Sequence, residues 1–228
     1  MNDKIVNANE EILLVGGGPL DDSDMIRTWS GPLIAADGGA AHCLDMGRSP
    51  DSVIGDMDSL GEDARAQLVS SKLLRIPEQD STDFDKCLRN MDAPLVLGVG
   101  FLGGRIDHQL AAMTTLARHA AQPVILIGIE DVLCLLPPRI EMFLTPGTRL
   151  SLFPMMPLNA SSTGLRWPLN GIGFSPTGTI GTSNEVTKPG EVMINADAPH
   201  MLLILPRACL GTLREALMRS ARWPAAPA

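Results

Sequence analysis

The chain has 228 residues, 45% hydrophobic and 19% charged, a composition for one large or two modest folded domains and not for a disordered chain. No apolar run is long enough to cross a bilayer, and the polar start Met1–Asn7 lacks the apolar stretch of a signal peptide. Residues 1–136 hold 10 Lys+Arg against 21 Asp+Glu, a net −11, while residues 137–228 hold 8 against 5, a net +3; with no basic stripe to displace phosphate counterions, the front half is no nucleic-acid surface.

Glu11–Val15 reads as a buried first strand running into Gly16-Gly17-Gly18-Pro19 and a polar helix start at Asp21–Asp24. Such a turn either brings backbone N–H groups to a phosphate or is simply tight. It fails the dinucleotide fingerprint, because Asp21 stands where the third glycine belongs. A second strand, Leu33–Ala36, ends in Asp37-Gly38-Gly39 before a helical Ala40–Leu44. The third, Ser52–Gly55, is followed by Asp56-Met57-Asp58-Ser59. Extended residues two apart project to one side, so Asp56 and Asp58 can converge on one point. Beyond the carboxyl end of a strand in an open α/β sheet, that point is where ligands sit. Oxygen-only ligands suit a hard cation such as Mg²⁺; the other reading of the octet is a solvated Asp-x-Asp turn.

An amphipathic helix is expected around Glu62–Ser71, then a short strand Leu73–Ile76. In Gln79-Asp80-Ser81-Thr82-Asp83-Phe84-Asp85-Lys86, Thr82 and Asp85 have the spacing of a capping box. Asp83 is either a favourable charge on the helix dipole or a third carboxylate for the cation, with Lys86 one turn later able to reach a phosphate. The strand Pro94–Val99 leads to Gly103-Gly104-Arg105-Ile106-Asp107-His108 and a helix to about Ala120. Arg105 can fork onto phosphate oxygens or pair with Asp107. His108 fits a helix-start residue better than a ligand. Four scattered cysteines, Cys43, Cys87, Cys134 and Cys209, fit reduced, buried thiols in a cytoplasmic protein.

Taken together, Asp37-Gly38-Gly39, Gly55–Ser59, Asp80–Leu88 and Gly103–His108 resemble, in order and spacing, the motifs of thiamine pyrophosphokinases. After Pro137-Pro138 helical periodicity stops, and short β-prone segments (Arg149–Phe153, Glu191–Ile194, His200–Leu205) alternate with turn residues, the pattern of a small sandwich. Ser161–Leu169 and Thr182–Glu185 resemble the family's second domain, so the likeness runs from about residue 12 to 206. Trp167 stands out in a chain with no Tyr and three Trp, although a lone Trp is more often core. A short amphipathic helix is expected within Leu213–Trp223, and a frayed end over Pro224–Ala228.

The expected fold is an N-terminal α/β domain with a largely parallel sheet (1–137) joined to a C-terminal all-β sandwich domain (138–228). The resemblance implies transfer of pyrophosphate from ATP to thiamine, giving thiamine diphosphate and AMP, with Mg²⁺ held by Asp56, Asp58 and Asp83. It implies nucleotide contacts from Asp37, Gly38, Gly39, Lys86 and Arg105, the last also catalytic, and thiamine contacts from Gln79, Asp107, Ser161 and Trp167. It further implies a homodimer in which one subunit's Trp167 serves the other's site. Two other readings stand beside it: a pyrophosphokinase for another hydroxymethyl heterocycle such as a pterin, which the Trp-bearing β domain argues against, and a catalytically idle Mg-nucleotide sensor, which the intact acidic set argues against.

Overall fold

Short apolar runs bounded by glycine, and buried on both faces, pair as parallel strands. The computed structural model describes residues 4–20, 23–58, 60–69 and 71–225; Met1–Asp3, Asp21, Asp22, Ser59, Ser70 and Ala226–Ala228 lie outside them, and with them parts of the polar start, the first helix start, the aspartate turn, the helix expected around Glu62–Ser71 and the frayed end. Two compact units are present, one of residues 1–115 with 126–129, the other of 116–125 with 130–228.

In the first unit the elements run β1 (Val6–Asn7), β2 (Ile12–Val15), α1 (Ser23–Thr28), β3 (Leu33–Ala36), α2 (Gly39–Asp45), β4 (Ser52–Gly55), α3 (Glu62–Gln67), β5 (Lys72–Arg75), α4 (Asp83–Arg89), β6 (Met91–Asp92), β7 (Val96–Val99) and α5 (Ile106–Arg118). Strands β7-β2-β3-β4-β5 are neighbours in that order and all parallel. Every residue of β2, β3, β4 and β7 is buried. The edge strand β5 is largely exposed and carries Lys72 and Arg75, charges that discourage further strand pairing. From β2 the chain steps outward to β3, β4 and β5, then returns to the other side of β2 as β7. That reversal is a switch point, and it opens a crevice beyond the strand ends.

Helix α3 differs from the amphipathic helix expected there. It ends at Gln67 and buries none of its residues; the flanking Leu60 and Leu68 anchor it instead, 6% and 2% exposed. Helix α4 opens as its spacing predicts, with the Thr82 hydroxyl accepting from the Asp85 amide at 3.3 Å.

In the second unit, β9 (Asp131–Leu135), β11 (Arg149–Pro154), β14 (Gly181–Glu185) and β16 (Met201–Pro206) form an antiparallel run ordered β14-β11-β16-β9. Strands β10 (Arg139–Phe143), β15 (Glu191–Ala196), β12 (Leu158–Thr163) and β13 (Gly173–Phe174) form a separate antiparallel sheet in that order. Among the described residues there are a large mixed sheet that includes β8 (Val124–Ile127), a separate antiparallel sheet, and the two-stranded parallel pair β1-β6. The all-β sandwich expected over 138–228 is a finer description than these ladders give: the unit's strands divide between the two sheets, and helix α6 (Leu210–Arg219) belongs to it as well. Alternation is clearest in β10, where Ile140 and Met142 face inward and Arg139, Glu141 and Phe143 face out. No described helix is long and apolar enough to cross a membrane.

Candidate active site

Close approach of strand-end turns shapes the crevice. A Cβ on Gly39 would collide with the Val15 carbonyl oxygen, and one on Gly16 would lie 2.7 Å from the Gly100 oxygen; only glycine lets these turns meet. The Gly18 amide donates to the Gly100 carbonyl at 2.9 Å, and Nε2 of His42 lies 3.0 Å from the Gly18 oxygen. The resulting cavity, about 760 Å³, is lined by Gly16–Gly18, Asp37, Gly38, Asp56, Gln79, Asp83, Lys86 and Arg105 among others. Strand order therefore gathers in one crevice residues spread over ninety positions of sequence. Phe84 and Phe101 in its lining pack at a tilt of 37°, with ring centroids 4.5 Å apart.

Among the described residues Asp37, Asp56 and Asp58 form an acidic group, each offering one carboxylate oxygen within 4.8 Å of the others. Asp37 lies in the left-handed region (φ 37°) and is 2% exposed, and its buried Oδ1 has no hydrogen-bond partner among the described residues. A buried carboxylate oxygen left unpaired is costly unless a cation or donor arrives. Met57, at φ 66°, turns the chain between the other two aspartates. The Asp58 amide donates to Asp56 Oδ1 at 3.2 Å, and Gln79 Nε2 to Asp56 Oδ2 at 3.0 Å. These two donors hold the Asp56 carboxyl below its ordinary pKa, the amide more strongly. Arg65 Nη2 donates to the Met57 carbonyl at 2.7 Å, bracing the turn from α3.

Asp83 lines the same crevice as Asp37 and Asp56 of that group. Lys86, 1% exposed, places Nζ 3.2 Å from Asp83 Oδ1 and 3.6 Å from Asp56 Oδ2. Burial raises the Asp83 pKa against the pull of Lys86, with the charges of Asp37 and Asp56 adding to the rise. Burial also works against the Lys86 charge, yet the hydrogen bond and charge of Asp83, then Asp56, carry its pKa upward. Asp37, assigned to the nucleotide by sequence reasoning, also lies beside the aspartate pair, and Asp83, assigned to the cation, meets Asp56 through the shared Lys86.

Arg105 and Asp107 form a two-point pair, Nε to Oδ1 at 3.1 Å and Nη2 to Oδ2 at 2.6 Å, both largely exposed. The Arg105 hydrogen bond holds Asp107 down at a pKa of about 2. Asp107 Oδ1 also accepts from the His108 amide at 3.0 Å, at the start of α5. In the second unit, Ser161 is half-buried on β12, its Oγ accepting from Asn195 Nδ2 at 3.3 Å. Trp167 is 53% exposed, so the core reading of a lone Trp fails here. Arg65 was missed by sequence reasoning, since an arginine on a polar helix carries no signal of its own; Asn184 lay within the Thr182–Glu185 stretch that resembles the family's second domain, but no role was assigned to it.

A family model of the thiamin pyrophosphokinase catalytic domain matches residues 25–127, and one of the thiamin pyrophosphokinase vitamin B1 binding domain matches residues 139–201. Thiamine pyrophosphokinase 1 of Oryza sativa subsp. japonica is 30% identical over 200 residues, covering 72% of this chain and 75% of that one. This chain belongs to the thiamine pyrophosphokinase family. The Arabidopsis thaliana thiamine pyrophosphokinase 1 is 30% identical over 168 residues, 65% of this chain and 62% of the relative. Among solved structures, a protein from Lactobacillus plantarum aligns with a TM-score of 0.73 at 25% identity, over 87% of this chain and 99% of that one. The thiamin pyrophosphokinase of Candida albicans, at 16% identity, shares the fold with a TM-score of 0.73 over 90% and 93% of the two chains.

Proposed function

We infer that this chain transfers the pyrophosphoryl group of ATP to the hydroxyethyl oxygen of thiamine, giving thiamine diphosphate and AMP. The observation that carries it is the meeting of all four N-terminal motifs in one crevice of a chain matched by both family models. The thiamine oxygen bonds to the β-phosphorus, the bond from that phosphorus to the oxygen bridging the α-phosphate breaks, AMP leaves with that oxygen, and the hydroxyl proton is released. A pterin-directed enzyme is disfavoured by the vitamin B1 binding match over residues 139–201.

The acidic group fits a hard divalent cation, on the chemistry of its oxygens and on the unpartnered Asp37 Oδ1. Asp56, Asp58 and Asp83 are the proposed Mg²⁺ ligands, and Asp37 fits beside them. When bound, the ion supplies positive charge against the phosphate oxygens. The chain's own groups position and stabilise charge. Lys86 and Arg105 meet phosphate oxygens; the Asp37-Gly38-Gly39 turn and the glycines after β2 offer backbone N–H groups to the nucleotide. Gln79, Asp107, Ser161 and Trp167 are the proposed thiamine contacts. Residues 1–137 thus serve nucleotide and metal and contribute Gln79 and Asp107 towards thiamine, while residues 138–228 serve thiamine and dimerisation. A cytoplasmic setting accords with four free thiols.

Incubation with ATP, Mg²⁺ and thiamine, followed by chromatography of the products, tests this reading. AMP and thiamine diphosphate should appear in equal amounts and only with thiamine present. AMP formation driven by a hydroxymethyl pterin, or none with either acceptor, would replace it.

A two-fold homodimer is expected from the placement of Trp167 in a unit that carries no phosphate motif. Light scattering should find twice the chain mass at assay concentration. A fully active monomer would refute the shared site.

A further inference from the structure

Trp167 is exposed, so its indole is not aimed by burial in a core; something must fix it through its backbone. It sits midway between Leu165 and Leu169, 5% and 2% exposed, which anchor the segment on either side. Pro168 follows it, and a residue before proline is confined to extended conformations. Ser162 secures the far anchor, its Oγ accepting from the Leu169 amide at 3.1 Å and its amide donating to Asn170 Oδ1 at 2.9 Å.

The decisive contact comes from β14. Asn184, 5% exposed, accepts from the Trp167 amide at 3.1 Å through Oδ1 and donates to the Trp167 carbonyl at 2.7 Å through Nδ2. Oδ1 also accepts from the Glu185 amide at 2.8 Å. Flipping the carboxamide would set its NH₂ against two N–H groups, so one orientation alone satisfies all three bonds. Inward aim of Asn184 follows from an irregularity in β14: its pairing with β11 shifts register between Leu150 and Leu152, and Ser183 takes φ 59°. Such bulges redirect side chains. On the indole itself, the Arg166 guanidinium lies 4.8 Å from the ring centroid, while Glu185 Oε2 lies 3.5 Å from Arg166 Nη1.

We propose that Asn184 is a positioning residue for thiamine recognition: it grips both backbone polar groups of Trp167 and so sets the direction in which the indole is presented. The inference rests on the reading of Trp167 as a thiamine contact. Substrate would meet an indole already ordered, which lowers the entropic cost of binding. Losing the grip leaves Trp167 present but free to reorient, a defect in thiamine use and not in ATP use.

The test uses the full chain with Trp29 and Trp223 replaced by Phe, so that fluorescence reports Trp167 alone. Asn184→Ala should lower the steady-state anisotropy of Trp167 and raise KM for thiamine about three- to tenfold, with KM for ATP unchanged. Asn159→Ala is the stability control, removing the Asn159–Asp197 side-chain bond elsewhere in the same unit; it should leave both readouts unchanged. Unchanged anisotropy and unchanged KM for thiamine in folded Asn184→Ala would overturn the proposal. Should that variant not fold, Asn184→Asp carries the test, since it keeps the acceptor for the Trp167 amide and loses the donor to the carbonyl; anisotropy should then fall part-way. Unfolding of both would overturn the proposal too, making Asn184 part of the core frame. Trp167→Ala separates the two ideas: if it leaves thiamine kinetics unchanged, the substrate contact itself is wrong, whereas a rise with Trp167→Ala and none with Asn184→Ala refutes only the positioning role.

Discussion

Asp58→Asn is expected to cost at least about 100-fold in kcat/KM, the scale on which single charge-stabilising groups act in enzymes, while the fold survives. Asp58 is exposed and belongs to a group of three carboxylates with oxygens within 4.8 Å of one another. Two unit charges about 4 Å apart repel by roughly 1–4 kcal/mol, depending on the effective dielectric. In the absence of a cation that repulsion opposes folding, so replacing one carboxylate by a neutral amide of the same shape relieves it. The melting temperature of the metal-free protein should therefore hold or rise. With Mg²⁺ present the sign reverses, because the wild-type group gains from the ion what the variant has lost. Turnover with thiamine and ATP, circular dichroism, and melting with and without Mg²⁺ would read all three effects. Normal turnover by Asp58→Asn would remove the central cation from this site, and a lower metal-free melting temperature would show that the carboxylate holds structure instead.

What sequence could and could not convey differs between the two units for a physical reason. In the first, strands buried on both faces are continuous apolar runs, and the crevice is announced by what must follow them: Gly16–Gly18 after β2, Asp37-Gly38-Gly39 after β3, Asp56 and Asp58 after β4. Sequence order therefore carried the place of most crevice residues. It did not carry which carboxylates meet, because that depends on the left-handed turns at Asp37 and Met57 (φ 37° and 66°) and on β3 lying next to β4. Lys86 could be read as a cation one turn after Asp83, but its burial between Asp83 and Asp56 could not. In the second unit β12 is Leu-Asn-Ala-Ser-Ser-Thr and β14 is Gly-Thr-Ser-Asn-Glu. Such segments read as turns, and only pairing with β15 and β11 makes them strands. The grip of Asn184 on Trp167 depends on that pairing, so no local pattern could have disclosed it.

Trp167→Ala should lower kcat/KM for thiamine about tenfold or more, with ATP affinity unchanged. A stacked aromatic face contributes roughly 0.5–1.5 kcal/mol beyond area burial, truncation also removes the apolar contact, and each 1.4 kcal/mol is a factor of about ten. The ring is 53% exposed and its backbone is fastened by Asn184. Little of the fold depends on the indole, so the melting temperature should move only slightly. ATP binding is expected to hold because the nucleotide candidates Asp37, Gly38, Gly39, Lys86 and Arg105 all belong to the first unit. Trp167→Phe should recover part of the loss, a ring of smaller area still offering an aromatic face to the substrate. Arg166 makes the interpretation sharper, since its guanidinium near the indole loses its partner in Trp167→Ala. Arg166→Gln separates the two: if it alone reproduces the loss, the guanidinium and not the indole contacts the substrate. Unchanged thiamine kinetics in Trp167→Ala would leave the exposed indole without a role in this reaction, and collapse of the fold would mean that its contacts bear on stability after all.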